Sequence, residues 1–369
     1  MQPLSEDKIA AAFASDKVEA LDYDGLHYKR LTDSAGPVPR GSVRLPDGSV
    51  IPGYPAIGRI HTLATGLREQ FSGPFQAEEK IDGFNVRIVR HEGRLLAFSR
   101  GGFVCPFSTD RAPEMLDTAV FDDEPRLIVC AEIAGPENPY IEGSPPQVVE
   151  DVALFVFDLM ARDAGGFLPL AAKAERMARD ALPGVRTWGP YTPDQVEAVR
   201  ELMRYLDAGG AEGVVFKTDA GGGYRAKYVT ARSSISDIEL TSNALLDLPP
   251  EYFTHRLLRL ALFMAENDRQ GDANLERDLG RALLQGLFDA SASVGDNGLV
   301  DQPFRCRFRN RDNAERFVAF LQRTGGKHMR FPEGGLYAEG DFWVLEFRRV
   351  RERMTSWLRH TLWGGTQFD

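Results

Sequence analysis

The chain contains only three cysteines, Cys105, Cys130 and Cys306, far apart and odd in number. That excludes a disulfide framework and a cysteine-built zinc cluster, and it suits a reducing cytoplasm. No apolar run approaches the roughly 18 residues a membrane-spanning helix requires, so no membrane partner is expected. The opening segment Met1-Gln2-Pro3-Leu4-Ser5-Glu6-Asp7 has no basic stretch leading into an apolar one, and a secretory leader is not expected. None of the six histidines is paired at metal-ligand spacing. Gly-x4-Gly-Lys-Ser/Thr is missing, which removes the phosphate-loop kinases and ATPases. Internal repeats and long low-complexity segments are missing too.

What is present is an ordinary globular composition, 43% hydrophobic and 27% charged over 369 residues, a length that suits two to four units. The net charge of −10 argues against indiscriminate nucleic-acid binding. The charge is unevenly spread, however: Pro303 to His360 holds 13 Lys/Arg against 7 Asp/Glu. One basic face could therefore meet phosphates, or simply be a salt-bridged surface.

Residues 1–65 open with an amphipathic stretch from Asp7 to Leu21 and continue through Gly36-Pro37, Pro46-Asp47-Gly48 and Pro52-Gly53, which predicts short strands and turns. From Phe75 to about Val229 strands dominate. Phe84 to Arg90 alternates apolar and polar, as a half-buried strand does. Leu127–Ala131 and Val152–Phe157 are continuous apolar runs suited to buried strands. Gly213–Phe216 and Tyr224–Thr230 add two more, with helices over Leu170–Ala181 and Thr192–Leu206. After Asp237 the leucines and phenylalanines fall at helical spacing, and a last helix is predicted from Phe342 to Trp363. The boundaries fall near 65, 240 and 297.

The sharpest local signal is Glu78-Glu79-Lys80-Ile81-Asp82-Gly83-Phe84-Asn85. A lysine two residues before Asp-Gly can present its amine at a sheet's mouth, with glycine letting a substrate approach the backbone; alone, it is equally a surface lysine in a turn. Read onward, the chain gives Phe98-Ser99-Arg100-Gly101, Ala131-Glu132-Ile133-Ala134-Gly135 and Phe155-Val156-Phe157-Asp158-Leu159. Ala211-Glu212-Gly213-Val214-Val215-Phe216-Lys217 and Tyr224-Arg225-Ala226-Lys227-Tyr228 follow. In that order and spacing the set resembles the motifs of covalent nucleotidyltransferases: DNA ligases, RNA ligases and mRNA capping enzymes. Asn85, five residues after the lysine, resembles the RNA-ligase form, where DNA ligases and capping enzymes usually carry Arg. Glu79 to Ile88, Pro55-Ala56-Ile57-Gly58-Arg59-Ile60 and Ala226-Lys227-Tyr228-Val229-Thr230 look like the archaeal-type homodimeric ATP-dependent RNA ligases.

That resemblance implies an α+β fold: an adenylyltransferase domain of mainly antiparallel sheets (66–239), a small N-terminal module (1–65), a helical dimerisation module (240–297) and a C-terminal domain (298–369). It implies a homodimer that takes ATP and Mg²⁺ (or Mn²⁺) and joins RNA 5′-phosphate and 3′-hydroxyl ends through a lysine–AMP phosphoramidate on Lys80. Lys227 would contact the α-phosphate and Glu212 would anchor the metal. Glu132 would take a ribose hydroxyl. Arg100 would lie near the ribose and the incoming 5′-phosphate, with Asn85 beside the phosphates and Glu79 within the nucleotide site. Phe157 would stack on adenine, with Phe155, on the same sheet face, as the competitor. The family usually has Lys-x-Lys where this chain has Arg225-Ala226-Lys227, so Arg225, Lys217 or neither shares the phosphate role. Because only about one free lysine in a few thousand is neutral at pH 7, nearby cations are expected to lower the Lys80 pKa. Phe304-Arg305-Cys306-Arg307-Phe308-Arg309-Asn310-Arg311 would place its arginines on one strand face. There Arg305 and Arg307 could track a nucleic-acid backbone, or pair with acids or a dimer partner. The same scaffold also allows a DNA ligase, a capping-type enzyme or a non-catalytic nucleic-acid-binding dimer.

Overall fold

A computed structural model describes residues 4–163 and 166–366. After helix α1 (Glu6–Phe13), strands β1 (Val18–Tyr23) and β2 (Leu26–Leu31) are joined by Asp24-Gly25. Both turn residues have positive φ, as a two-residue hairpin turn of matching twist requires. With β3 (Val43–Arg44) and β4 (Val50–Ile51) they make a four-stranded sheet. The expected amphipathic stretch is thus split: it is helical only to Phe13, because Val18 onward pairs with β2.

The next elements build two facing sheets. They are β5 (Gly58–Arg59), α2 (Leu63–Gln70), β6 (Phe75–Lys80), β7 (Phe84–His91), β8 (Arg94–Ser99), α3 (Pro106–Met115), β9 (Leu127–Ala134) and β10 (Ala153–Ala161). Then come α4 (Leu170–Arg179), β11 (Thr187–Tyr191), α5 (Val196–Ala208), β12 (Gly213–Lys217), α6 (Ala220–Gly223) and β13 (Arg225–Val229). One sheet has the order β11-β6-β12-β13-β5, the other β10-β9-β7-β8. All pairings are antiparallel except β13 with β5.

β7 is not half-buried as its alternation predicts; Val86, Arg87, Ile88 and Val89 are all buried. Val86 and Ile88 face the core around α3, while Val89 packs against the N-terminal sheet. The polar position on that second face, Arg87, donates to the carbonyl oxygens of Pro52 (2.5 Å), Gly41 (2.8 Å) and Ser99 (2.8 Å). A buried guanidinium capping three carbonyls fixes the N-terminal module onto the strand that leads to Arg100. Gly41 makes the same contact from the other side: a Cβ there would lie 2.1 Å from the Arg100 carbonyl oxygen.

Helices α7 (Ala231–Thr241), α8 (Glu251–Glu266) and α9 (Ala273–Asn297) follow. Phe253, Leu260, Phe263, Leu275 and Ala282 continue the core of the first sheet. The chain ends in β14 (Asp301–Phe308), α10 (Arg311–Gly325), β15 (Met329–Arg330), β16 (Leu336–Glu339), β17 (Phe342–Val350) and α11 (Glu352–Leu362). The helix expected from Phe342 therefore begins only at Glu352. Its helix-like residues from Phe342 to Val350 instead pair along the whole of β14, and Phe347 stacks on Phe304 with ring centroids 5.1 Å apart. Long-range pairing overrides local propensity here. Phe304, Phe308, Phe317 and Phe347 share one core with α3 and the second sheet, so the C-terminal elements pack directly on the two-sheet scaffold.

Candidate active site

β6 ends on Lys80, which lies opposite Gly213 at the start of β12. Glu212, immediately before that glycine, receives the Lys80 Nζ at 2.6 Å. Gly83 is required for a reason other than the expected one: a Cβ there would lie 2.6 Å from the Ile133 carbonyl oxygen and 2.7 Å from Glu132 Cγ. The glycine lets β9 come close, and so brings Glu132 beside the lysine. A cleft of about 710 Å³, counting the solvent at its mouth, opens between the two sheets. Lys80, Asn85, Arg100, Glu132, Phe157 and Lys227 line it.

The electrostatics around Lys80 run against the expectation from neighbouring cations. Burial pushes its ammonium pKa down, but Glu212, Glu132 and Asp82 outweigh burial and hold it above the usual lysine value. Burial, together with Glu212, lifts the Asp82 carboxyl to about 7. Glu132 is lifted to about 8 by burial and by Glu212 and Asp82. Burial and the adjacent Arg59 and Lys80 bring Lys227 down to about 8. Two carboxyls driven toward protonation by crowding are a donor set that a hard divalent cation relieves. Among the described residues no three His, Cys, Asp or Glu side chains are grouped to hold a metal by themselves.

The far end of the cleft is set by a β-bulge. Val156 pairs with Ala131 but Asp158 with Cys130, leaving Phe157 as the extra residue. The alternation of β10 continues through Phe157, so the two phenylalanines share a face: Phe157 lines the cleft, and Phe155 lines an adjoining hollow with Arg186 and Tyr205 that shares Glu79 and Val185 with it. The Phe157 carbonyl accepts from Lys217 (2.7 Å) and Lys173 (2.8 Å). Lys217 also pairs with Glu78 (2.8 Å) and Asp158 (3.0 Å), and Lys173 with Glu78. Arg225 holds Asp158 at 2.9 Å and lies 3.3 Å over the Phe167 ring, and Tyr54 donates to Asp158 at 2.7 Å. Burial alone would raise the Asp158 carboxyl, but Lys217 and Arg225 hold it well below the usual range.

These contacts bear on several expectations. Lys217 and Arg225 are engaged by buried carboxylates, which favours the alternative in which neither shares the phosphate role expected of Lys227. The Glu79 carboxylate is held by both arms of Arg186 at 2.7 Å, and the residue lines the cleft beside Lys80. Only Arg305 and Arg307 of the basic run lie on β14, because Arg311 already starts α10 behind the Asn310 cap. Those two arginines pair with Glu137, Glu339 and Asp151, which is the acid-pairing alternative of the readings that the run allowed. Arg100, in contrast, is exposed at the cleft, and the buried Asn85 Oδ1 has no hydrogen-bond partner.

Sequence reasoning passed over Glu78, Tyr54, Lys173 and Asp158. Asp158 carried a usable signal, a carboxylate inside an otherwise apolar run. The other three owe their roles to contacts between residues distant in the chain.

Residues 73–229 match the RNA ligase family model, and residues 240–365 match the Ligase Pab1020 C-terminal region. An Aquifex aeolicus structure described provisionally as an ATP-dependent DNA ligase is 43% identical, with a TM-score of 0.92 over 99% of this chain and 100% of that one. A structure of an archaeal ATP-dependent RNA ligase is 26% identical, with a TM-score of 0.87 over 99% of this chain and 97% of the other. An uncharacterised Methanocaldococcus jannaschii protein is 27% identical over 280 residues, 74% of this chain and 71% of that protein. No described helix is long and apolar enough to cross a membrane. With an antiparallel adenylyltransferase scaffold, a lysine at its cleft and both family regions in register, the chain belongs to the archaeal-type ATP-dependent RNA ligase family of covalent nucleotidyltransferases.

Proposed function

We propose that this protein seals RNA 5′-phosphate ends to 3′-hydroxyls, carrying AMP on Lys80 between the two half-reactions. The observation that carries the reading is the Lys80 amine, 2.6 Å from Glu212 in a cleft that also takes in Glu132, Asn85, Phe157 and Lys227. The amine attacks the α-phosphorus of ATP, the bond to the bridging oxygen breaks with its electrons on pyrophosphate, and the amine's proton passes to solvent. AMP then moves to an RNA 5′-phosphate at Arg100, and the 3′-hydroxyl displaces it. Lys227 stabilises charge on the α-phosphate, Glu132 orients the ribose and Phe157 covers the adenine. Mg²⁺ (or Mn²⁺), held by Glu212 with Asp82 or Glu132, would supply positive charge at the phosphate oxygens.

The working units of this reading are 1–65, 66–239, 240–297 and 298–369, with the third joining two copies of the chain. Leu258, Leu284 and Phe288, on α8 and α9, are 56, 53 and 62% exposed, and apolar side chains on these helices are where a second copy would dock in this reading. Light scattering is expected to report a dimer that Leu284→Asp with Phe288→Asp converts to a folded monomer; a monomeric wild type would contradict this. The sealing reaction is checked with nicked or single-stranded 5′-phosphorylated RNA and matched DNA, ATP and magnesium. RNA is expected to be joined and DNA much less efficiently. The description of the Aquifex relative favours one second reading, nick sealing in DNA, and preferential joining of DNA would establish it.

A further inference from the structure

The first sheet carries an ordered row of side chains across the cleft floor. Glu78 lies opposite Val215, Val215 opposite Lys227, and Lys227 opposite Arg59 on β5. Directly opposed residues point to the same face, and neighbouring strands are about 4.8 Å apart. Arg59 therefore stands one strand beyond Lys227, on the side away from Val215 and the base pocket. From the helical module, α8 brings Arg256 and Arg259 to the same place. Both engage Asp237 of α7, at 2.7 and 3.6 Å. Asp237 itself borders the hollow that holds Lys80, Asp82 and Glu212.

Three guanidinium groups thus converge around Asp237, which two of them already share; Arg59 is exposed and makes no ion pair among the described residues, and the negative charge that acts on it most, Glu212, is paired with Lys80. Burial, and then the neighbouring Arg59 and Arg256, push the Arg259 guanidinium down to about 10, against the pull of Asp237 and Glu212. Uncompensated positive charge at the edge of a cleft is an anion site. Its place in the row says which anion. The base pocket lies at Phe157 and Val215, and the α-phosphate between Lys80 and Lys227. The next position outward is where the rest of a triphosphate must go.

On the reading that Lys80 is adenylated by ATP, we propose that Arg59, Arg256 and Arg259 bind the β- and γ-phosphates and hold the departing pyrophosphate. The helical module thereby takes part in the first half-reaction, in addition to any role in assembly. Cations aimed at the leaving group stabilise the charge it gains as the bond to the α-phosphorus breaks. A phosphate of the RNA end is the other ligand of the same chemistry, and the two are separable because RNA that is already adenylated is sealed without ATP or pyrophosphate.

The test uses full-length wild type, Arg59→Gln, Arg259→Ala and Arg259→Lys, each checked for folding by thermal unfolding. Arg59→Gln and Arg259→Ala are expected to slow lysyl–AMP formation from ATP by at least about tenfold. They should raise by a similar factor the pyrophosphate concentration that discharges pre-adenylated enzyme. Sealing of pre-adenylated RNA should stay within about twofold of wild type, and Arg259→Lys should recover part of the first-step rate. Should Arg259→Ala fail to fold, Arg59→Gln alone decides, since its side chain is exposed. Loss of pre-adenylated RNA sealing to the same extent would assign the cluster to the RNA end and overturn the proposal, as would an unchanged first step. A wild type that forms no lysyl–AMP would instead defeat the ligase reading beneath it.

Discussion

Asp158→Asn is expected to lower the free energy of unfolding by about 3–5 kcal/mol, because it leaves buried cations without their counter-charge. The wild-type cluster balances Lys173, Lys217 and Arg225 against Glu78 and Asp158, all of them buried. The amide keeps the shape of the carboxylate but loses its charge, and its NH₂ group faces donors that it cannot satisfy. The sign of the pH dependence follows from the depressed carboxyl. Its stabilisation is fully present above the unfolded value near about 4 and is lost as pH falls through the folded value, so the gap between variant and wild type should narrow in acid. Because the same lysines grip the Phe157 carbonyl, the placement of Phe157 at the cleft depends on this cluster. The variant should therefore also bind ATP more weakly. Urea unfolding at neutral pH measures the main effect, and an unshifted midpoint would show that the cluster does not support the scaffold.

How far the sequence could be read depended on whether a residue's role was local. Lys80 and Glu212 sit in short motifs at strand ends, Glu132 and Lys227 in motifs within strands, and the fold brings all four together. Arg305 and Arg307 alternate as predicted, yet their partners Glu137 and Asp151 come from a loop over 150 residues earlier in the chain, which periodicity does not encode. Lys217 and Arg225 looked like phosphate ligands because the acid that claims both, Asp158, lies on the other sheet. β17 resembled a helix because Arg, Glu and Leu favour helices, and only its ladder with β14 decides otherwise. Phe155 and Phe157 share a face as their spacing predicts, and only the fold shows that Phe157 is the one beside Lys80 in the cleft.

Lys80→Ala is expected to abolish adenylate transfer outright while leaving the fold intact. The side chain sits at the cleft, 22% exposed, and pairs only with Glu212, so its removal opens no core cavity. No other described lysine can take its place: Lys217 and Lys173 are locked onto buried acids, and Lys227 lies beside Arg59, where the α-phosphate would have to be held rather than attacked. Glu212 and Glu132 would lose the cation that faces them, so the variant is also expected to bind divalent metal no more weakly than wild type. The decisive measurement incubates wild type and variant with α-labelled ATP and magnesium, denatures them and maps the label. Acid-labile AMP on the peptide bearing Lys80, absent from Lys80→Ala, is the predicted result; label retained by the variant, or none on wild type, would contradict the account.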